Sequence, residues 1–302
     1  MELRHMMIGG SQMTYTVLGE GSIDLVIEMG LGACIEEWRH AAKKIAETHT
    51  VLLYERLGCG TSGRAENRRT PRRIAEECAL FLDQLPHEEK IVLLAHSQGG
   101  LYAQQFARMY PERVKALILL DPLSADDGRF RRELSGREYR KSGVDKRGAI
   151  RLSLLMSRLP LKNIMRNMVR EAPPFYYYRG FEEDAAEYIL DCAIRPQGYR
   201  TALAEYREAH REENLAELRN PDGFPPVPIR LITHASEIAV SEIMQFGGLK
   251  RKEAEKVERI WQELMGQYLA LGSDSRWDRA EHSSHAIHLT DLDLVCNVAA
   301  EF

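Results

Sequence analysis

The sequence predicts an α/β fold, with a mostly parallel sheet, helices on both faces and a helical insertion between its later strands. Three observations predict it. Short apolar runs at residues 25–27, 51–54, 91–94 and 114–120 alternate with helix-patterned segments. Such runs suit parallel strands covered on both faces. Loops rich in glycine or small residues follow those runs, around Gly30, Gly58 and Ser97. In open α/β sheets the site lies outside the carboxyl ends of the strands, so these loops converge at one edge. Lastly, the alternation stops after Asp121 and resumes at Ile229.

Each element has a local reason. Gly9-Gly10 separates two strand-like runs, so residues 1–18 read as a hairpin. The strand at 25–27 ends in the loop Glu28-Met29-Gly30-Leu31-Gly32, and a helix follows from Ile35 to about Thr48. The strand at 51–54 runs into the glycine-rich loop 55–63. Thr70 then caps a helix with Pro71 in its first turn, and Ile74, Cys78, Leu80, Phe81 and Leu85 give it an apolar face. The strand at 91–96 turns at Ser97 into a helix after Gly99, and the strand at 114–120 ends at Asp121-Pro122. Residues 123–225 are long, charged and helical in pattern, punctuated by Pro160, Pro173-Pro174 and Pro196. They are expected to form a helical cap over a core made of residues 1–122 and 226–302. Some of Leu154, Leu155, Met156, Met165, Met168 and the aromatics at 175–178 are expected to line a pocket. Strand pattern returns at 229–233, helices at 240–270 (Trp261, Leu264 and Tyr268 on one face), a last strand at 275–280, and a largely helical tail from His285.

Composition bounds the class. The chain has 302 residues, 44% hydrophobic and 28% charged, with net charge −4 and pI about 6.2. That balance suits a soluble globular protein, and no basic surplus points to nucleic acid or an anionic membrane as partner. No apolar leader is evident and no run approaches a membrane span. The five cysteines, at 34, 59, 78, 192 and 296, form no C-x-x-C pair. This argues against a disulfide framework or a thiolate metal site, and for a reducing cytoplasm.

The chemistry centres on Ala95-His96-Ser97-Gln98-Gly99-Gly100. A serine on a sharp strand-to-helix turn, flanked by small residues, is the arrangement of a nucleophile elbow, with Ala95 where glycine usually stands. The plain alternative is an N-capping serine. A serine needs a base, and Glu281-His282-Ser283-Ser284-His285-Ala286-Ile287-His288 supplies candidates after the last strand. His285, before the apolar pair at 286–287, is the choice. The three histidines at spacing three could instead hold a metal, but no carboxylate cluster supports this, so neither metal nor cofactor is expected. The base needs an orienting carboxylate, and two candidates stand open: Asp121 and Glu237. Backbone N–H groups of Leu31 and Gln98 could stabilise an oxyanion.

Four segments in order carry a resemblance: Met29-Gly30-Leu31-Gly32, the stretch from Tyr54-Glu55-Arg56 to Thr61-Ser62, the elbow, and Ser284-His285-Ala286-Ile287-His288. Over nearly its whole length the chain resembles the α/β-hydrolase superfamily, and its segment 261–273 resembles a bacterial subgroup of uncharacterised hydrolases. The resemblance implies an eight-stranded, mostly parallel sheet with an inserted cap, and a small-molecule substrate. The sequence departs from the family at Met29, Glu55 and His234-Ala235-Ser236-Glu237, where many members have His, Asp and Gly-x-x-Asp. Because some members carry the acid after the strand following the elbow, the resemblance favours Asp121 over Glu237. Serine at 97 argues against the dehalogenase and epoxide hydrolase branches, which use aspartate there. The expected activity is hydrolysis of an ester, thioester, lactone or amide through an acyl-enzyme. The competing expectations are a C–C bond hydrolase or lyase on the same residues, and a ligand-binding receptor of this fold with little turnover. Arg166, Arg170 and Arg179 leave an anionic substrate group conceivable.

Overall fold

A computed structural model describes residues 2–302. Among these residues eight strands form one sheet: β1 (Arg4–Ile8), β2 (Ser11–Leu18), β3 (Ile23–Glu28), β4 (Val51–Glu55), β5 (His87–His96), β6 (Val114–Leu120), β7 (Ile229–His234) and β8 (Ser275–Ala280). Their spatial order is β1-β2-β4-β3-β5-β6-β7-β8. The hairpin β1–β2 and the β2–β4 pair are antiparallel, and every later pair is parallel. Gly9 and Gly10 both have positive φ, as a two-residue hairpin turn that follows the strands' twist requires.

The helices α1 (Ile35–Ile45), α2 (Pro71–Leu82) and α3 (Gly99–Met109) connect the early strands. Between β6 and β7 lie α4 (Gly128–Glu133), α5 (Gly136–Lys141), α6 (Arg147–Met156), α7 (Lys162–Arg170), α8 (Glu183–Ala193), α9 (Pro196–Glu208) and α10 (Glu212–Arg219). Then come α11 (Ser236–Gly247) and α12 (Arg251–Gly266) before β8, and α13 (Ile287–Thr290) and α14 (Leu292–Ala299) after it. None of the described helices is long and apolar enough to cross a membrane.

Alternation along each central strand builds two cores. Val26, Leu93, Leu117 and Leu231 pack on one face with Phe81 of α2, Phe106 of α3 and Ile260 of α12. Leu25, Ile27, Leu94, Ile118 and Ile232 pack on the other with Trp38 of α1 and Val295 of α14. The apolar runs are continuous because both faces are buried.

Some boundaries differ from the sequence reading. β5 begins at His87, because His87 pairs opposite Ile23 before the register shifts and the apolar run resumes the pairing at Val92. Leu80 of α2 faces solvent at 46% exposure, while Ile74, Cys78 and Phe81 are buried. In the helical segment Met165 is buried, but Leu155 and Met168 are more than half exposed. Arg166 pairs with Glu187 and Asp191, Arg170 with Glu187 and Arg179 with Glu171. These three arginines are thus engaged by neighbouring acids.

Candidate active site

Ser97 sits at the carboxyl end of β5 with φ 55, a left-handed conformation that a non-glycine residue adopts at local cost. The neighbouring strands hold it there. Its N–H donates to Leu120 O at 3.0 Å, and its carbonyl accepts from Leu123 N at 2.8 Å and Gly100 N at 3.0 Å. The turn brings α3 hard against β3. A Cβ on Gly99 would collide with Glu28 O and lie 2.8 Å from Met29 O, both backbone atoms. Gly99→Ala is therefore expected to destabilise the fold by about 1–3 kcal/mol, as overpacking does, and to displace Ser97. Thermal unfolding of the variant checks this, and an unchanged Tm would contradict it.

His285 lies in the loop after β8, half exposed. Its Nε2 is 3.0 Å from Ser97 Oγ and its Nδ1 is 3.0 Å from Asp121 Oδ2. Asp121 is buried at the end of β6 with φ 44, the other positive φ outside glycine among the described residues. Burial pushes its carboxyl up, but the charges and hydrogen bonds of His234 and His285 outweigh this and hold it well below the usual carboxylate range. Glu237 is elsewhere. It opens α11 with its side chain 75% exposed and pairs with Arg251 at 2.6 Å. The structure brings together Ser97, His285 and Asp121, and leaves Glu237 out.

The loop after β3 adjoins the serine. A Cβ on Gly30 would stand 3.2 Å from Ser97 Cβ and 3.1 Å from His96 Nδ1. The buried guanidinium of Arg56 fixes this loop. It donates to Met29 O at 2.6 Å and Gly30 O at 2.9 Å, and pairs with Glu28 at 2.7 Å and Glu205 at 3.0 Å. In a trans peptide the N–H of Leu31 points opposite to the Gly30 carbonyl, hence away from Arg56. Among the described residues the N–H groups of Leu31 and Gln98 make no internal hydrogen bond.

Comparison with known proteins agrees with this architecture. Residues 25–159 match the family described as alpha/beta hydrolase fold. This chain has the α/β-hydrolase fold. A relative named "Putative carbamate hydrolase RutD", from Azorhizobium caulinodans, is 31% identical over 124 residues, 41% of this chain and 46% of that protein. Pimeloyl-[acyl-carrier protein] methyl ester esterase of Edwardsiella ictaluri is 34% identical over 108 residues, 36% of this chain and 40% of that protein. In both, the matched stretch spans less than half of the relative's length. Among solved structures, the enol-lactonase from Burkholderia xenovorans LB400 superimposes with TM-score 0.63 over 99% of this chain and 98% of its own, at 16% identity.

Within this hydrolase fold, several site-forming residues escape sequence reasoning. His96 is visible only as a variable position of the elbow, yet its Nε2–H donates to the His285 backbone carbonyl at 2.8 Å. Burial, with the nearby His285, lowers its pKa to about 3, so the ring is a neutral spacer. His288 stacks on Trp38 at 3.9 Å between ring centroids, and burial lowers it well below the usual histidine value. His234 and Glu258 stand behind Asp121; the unusual His-Ala-Ser-Glu segment signals the histidine, and nothing in the sequence signals Glu258. The three histidines at spacing three do not form a metal-ligand group. Among the described residues such a group is found at Cys34, Glu55 and Cys192. There Glu55 already accepts four hydrogen bonds, from Ile35 N, Thr61 N, Thr61 Oγ1 and Tyr188 OH.

Proposed function

We propose that this chain is a serine hydrolase that cleaves an ester, thioester, lactone or amide of a small, partly apolar substrate through an acyl-enzyme. The observation that carries this reading is the relay of two 3.0 Å contacts, Ser97 Oγ to His285 Nε2 and His285 Nδ1 to Asp121 Oδ2. In the proposed reaction His285 takes the serine proton as Oγ attacks the carbonyl carbon. Asp121 accepts from Nδ1–H, which fixes the tautomer that leaves Nε2 free, and stabilises the imidazolium. The N–H groups of Leu31 and Gln98 hold the oxyanion. Each such donor contributes about 3 kcal/mol of transition-state stabilisation. The imidazolium then protonates the leaving group, and water activated by neutral His285 hydrolyses the acyl-enzyme. The helices between β6 and β7 serve as the cap, tied to the core through Glu205 and Arg56. The relatives named for a carbamate, a methyl ester and an enol-lactone share acyl chemistry, which supports the reaction class.

The test is a fluorophosphonate probe followed by peptide mass spectrometry. Stoichiometric labelling of the peptide bearing Ser97 is expected. A folded protein that stays unlabelled, while its unfolding is cooperative, would sink this reading.

A further inference from the structure

Asp121 receives more than His285. His234, the last residue of β7, donates its backbone N–H to Asp121 Oδ1 at 2.9 Å, and its Nδ1 is 2.7 Å from Asp121 Oδ2. Its Nε2 is 3.0 Å from Glu258 Oε2 on α12. Both ring nitrogens therefore face carboxylate oxygens. With both carboxyls ionised they only accept, and a neutral imidazole has one N–H, so the two bonds then require the doubly protonated ring. His234, Asp121 and Glu258 are all buried. Trp261 packs against the ring, 4.1 Å between centroids, and Gln262 Nε2 donates to Glu258 Oε1 at 2.7 Å.

We infer that His234 is a buried imidazolium clamped between Asp121 and Glu258, and that it acts as a positioning residue that keeps Asp121 ionised and turned toward His285. The inference rests on the proposed hydrolase reading only for its consequence in catalysis. The clamp extends the relay to Ser97–His285–Asp121–His234–Glu258. It also answers a problem of this sheet: an acid at the end of the central strand β6 is fully buried, and a buried carboxylate tends to neutralise. Burial opposes the charge on His234, but the two carboxylates prevail and raise its pKa to about 10. The other titratable groups around the relay do not supply this charge. His96 and His288, beyond His285, are held neutral by burial, and Glu242, which accepts from Ser284 Oγ, and Tyr177 add none that is positive.

The linkage has a definite sign. A histidine whose pKa is raised in the fold stabilises it fully below its unfolded pKa, and loses that contribution as pH rises through about 10. Asp121, held low, contributes above the ordinary carboxylate range and loses its share as pH falls through its depressed value.

The test is NMR on the full chain, labelled with 15N and 13C. At about pH 8, above the ordinary histidine range, both ring nitrogens of His234 are expected to read as protonated. The Asp121 carboxyl is expected to stay ionised down through the ordinary carboxylate range. In His234→Gln the Asp121 carboxyl should titrate at higher pH by more than one unit. Because that variant removes a charge from between two buried acids, Glu258→Gln is the second. It keeps an acceptor for Nε2–H and should lower the pH at which His234 loses its proton. A neutral His234 in the wild type, or an Asp121 titration unmoved in His234→Gln, would overturn the inference. The catalytic consequence is read separately, from the pH dependence of fluorophosphonate labelling. Its acid limb should move up by about one pH unit in His234→Gln, roughly a tenfold loss of rate on that limb. A lower rate with an unmoved limb would make His234 merely structural and overturn the positioning role. An unlabelled wild-type serine with the NMR results intact would refute the hydrolase reading and leave the clamp standing.

Discussion

Ser97→Ala is expected to abolish fluorophosphonate labelling and to lower the hydrolysis of a p-nitrophenyl ester by about 10⁴–10⁶-fold in kcat, with KM little changed. The size follows from where the hydroxyl stands. It is the one group at the elbow aligned with a base, at 3.0 Å from His285 Nε2, and no other serine or cysteine contacts that nitrogen among the described residues. The variant should fold. Every hydrogen bond that shapes the elbow uses backbone atoms of residue 97, to Leu120, Leu123 and Gly100, and none of these needs the hydroxyl. The strained φ is equally open to alanine and serine. Residual turnover above the uncatalysed rate should remain, because the proposed oxyanion donors, the N–H groups of Leu31 and Gln98, are untouched by the substitution. Substantial activity in a folded Ser97→Ala protein, seen alongside unchanged labelling elsewhere, would move the nucleophile to another residue.

How much of this was legible depends on whether a residue's role is local. The buried strands were readable because burial on both faces demands uninterrupted apolar runs, as in residues 51–54 and 114–120. The polar start of β5 at His87 was not, because pairing at a strand's entry uses backbone atoms and leaves no mark in the side chains. The elbow was readable because tight packing against β3 requires the missing side chain of Gly99, a demand visible in five residues of sequence. The relation between Asp121 and His285 spans 164 positions and depends on the order of β6, β7 and β8 in the sheet. Sequence spacing alone left Asp121 and Glu237 open, and only resemblance to a family inclined the choice. His234 lay one step further off. A histidine at a strand end is ordinarily a turn or core residue, and nothing in one dimension brings Glu258 of α12 to its other nitrogen. Leu155 and Met168 are more than half exposed, a feature the sequence does not carry, because an apolar residue on a helix says nothing about whether a neighbour covers it.

Asp121→Asn is expected to slow labelling and ester hydrolysis by about 10⁴-fold, whereas Glu237→Gln should leave both within about twofold of wild type, the usual outcome for an exposed substitution. The asymmetry is geometric. Asp121 Oδ2 accepts from both His285 Nδ1 and His234 Nδ1, at 3.0 and 2.7 Å. An amide at 121 that keeps its oxygen on the His234 backbone N–H turns its NH₂ toward those two ring nitrogens. His285 can then accept at Nδ1 only by carrying its proton on Nε2, the tautomer that cannot take the proton of Ser97. His234, a cation by its two partners, would keep Glu258 alone as counterion, so some loss of Tm should accompany the loss of rate. Glu237 meets none of these groups. Its carboxylate points to solvent and pairs with Arg251 on the neighbouring helix, an exposed pair that adds little to stability. The two variants measured side by side by labelling rate decide the matter. A slow Glu237→Gln beside a normal Asp121→Asn would reverse the assignment and require α11 to move its first turn toward His285. The expected result instead leaves the acid on the strand adjoining the nucleophile strand, where a buried carboxylate needs a second histidine to stay charged.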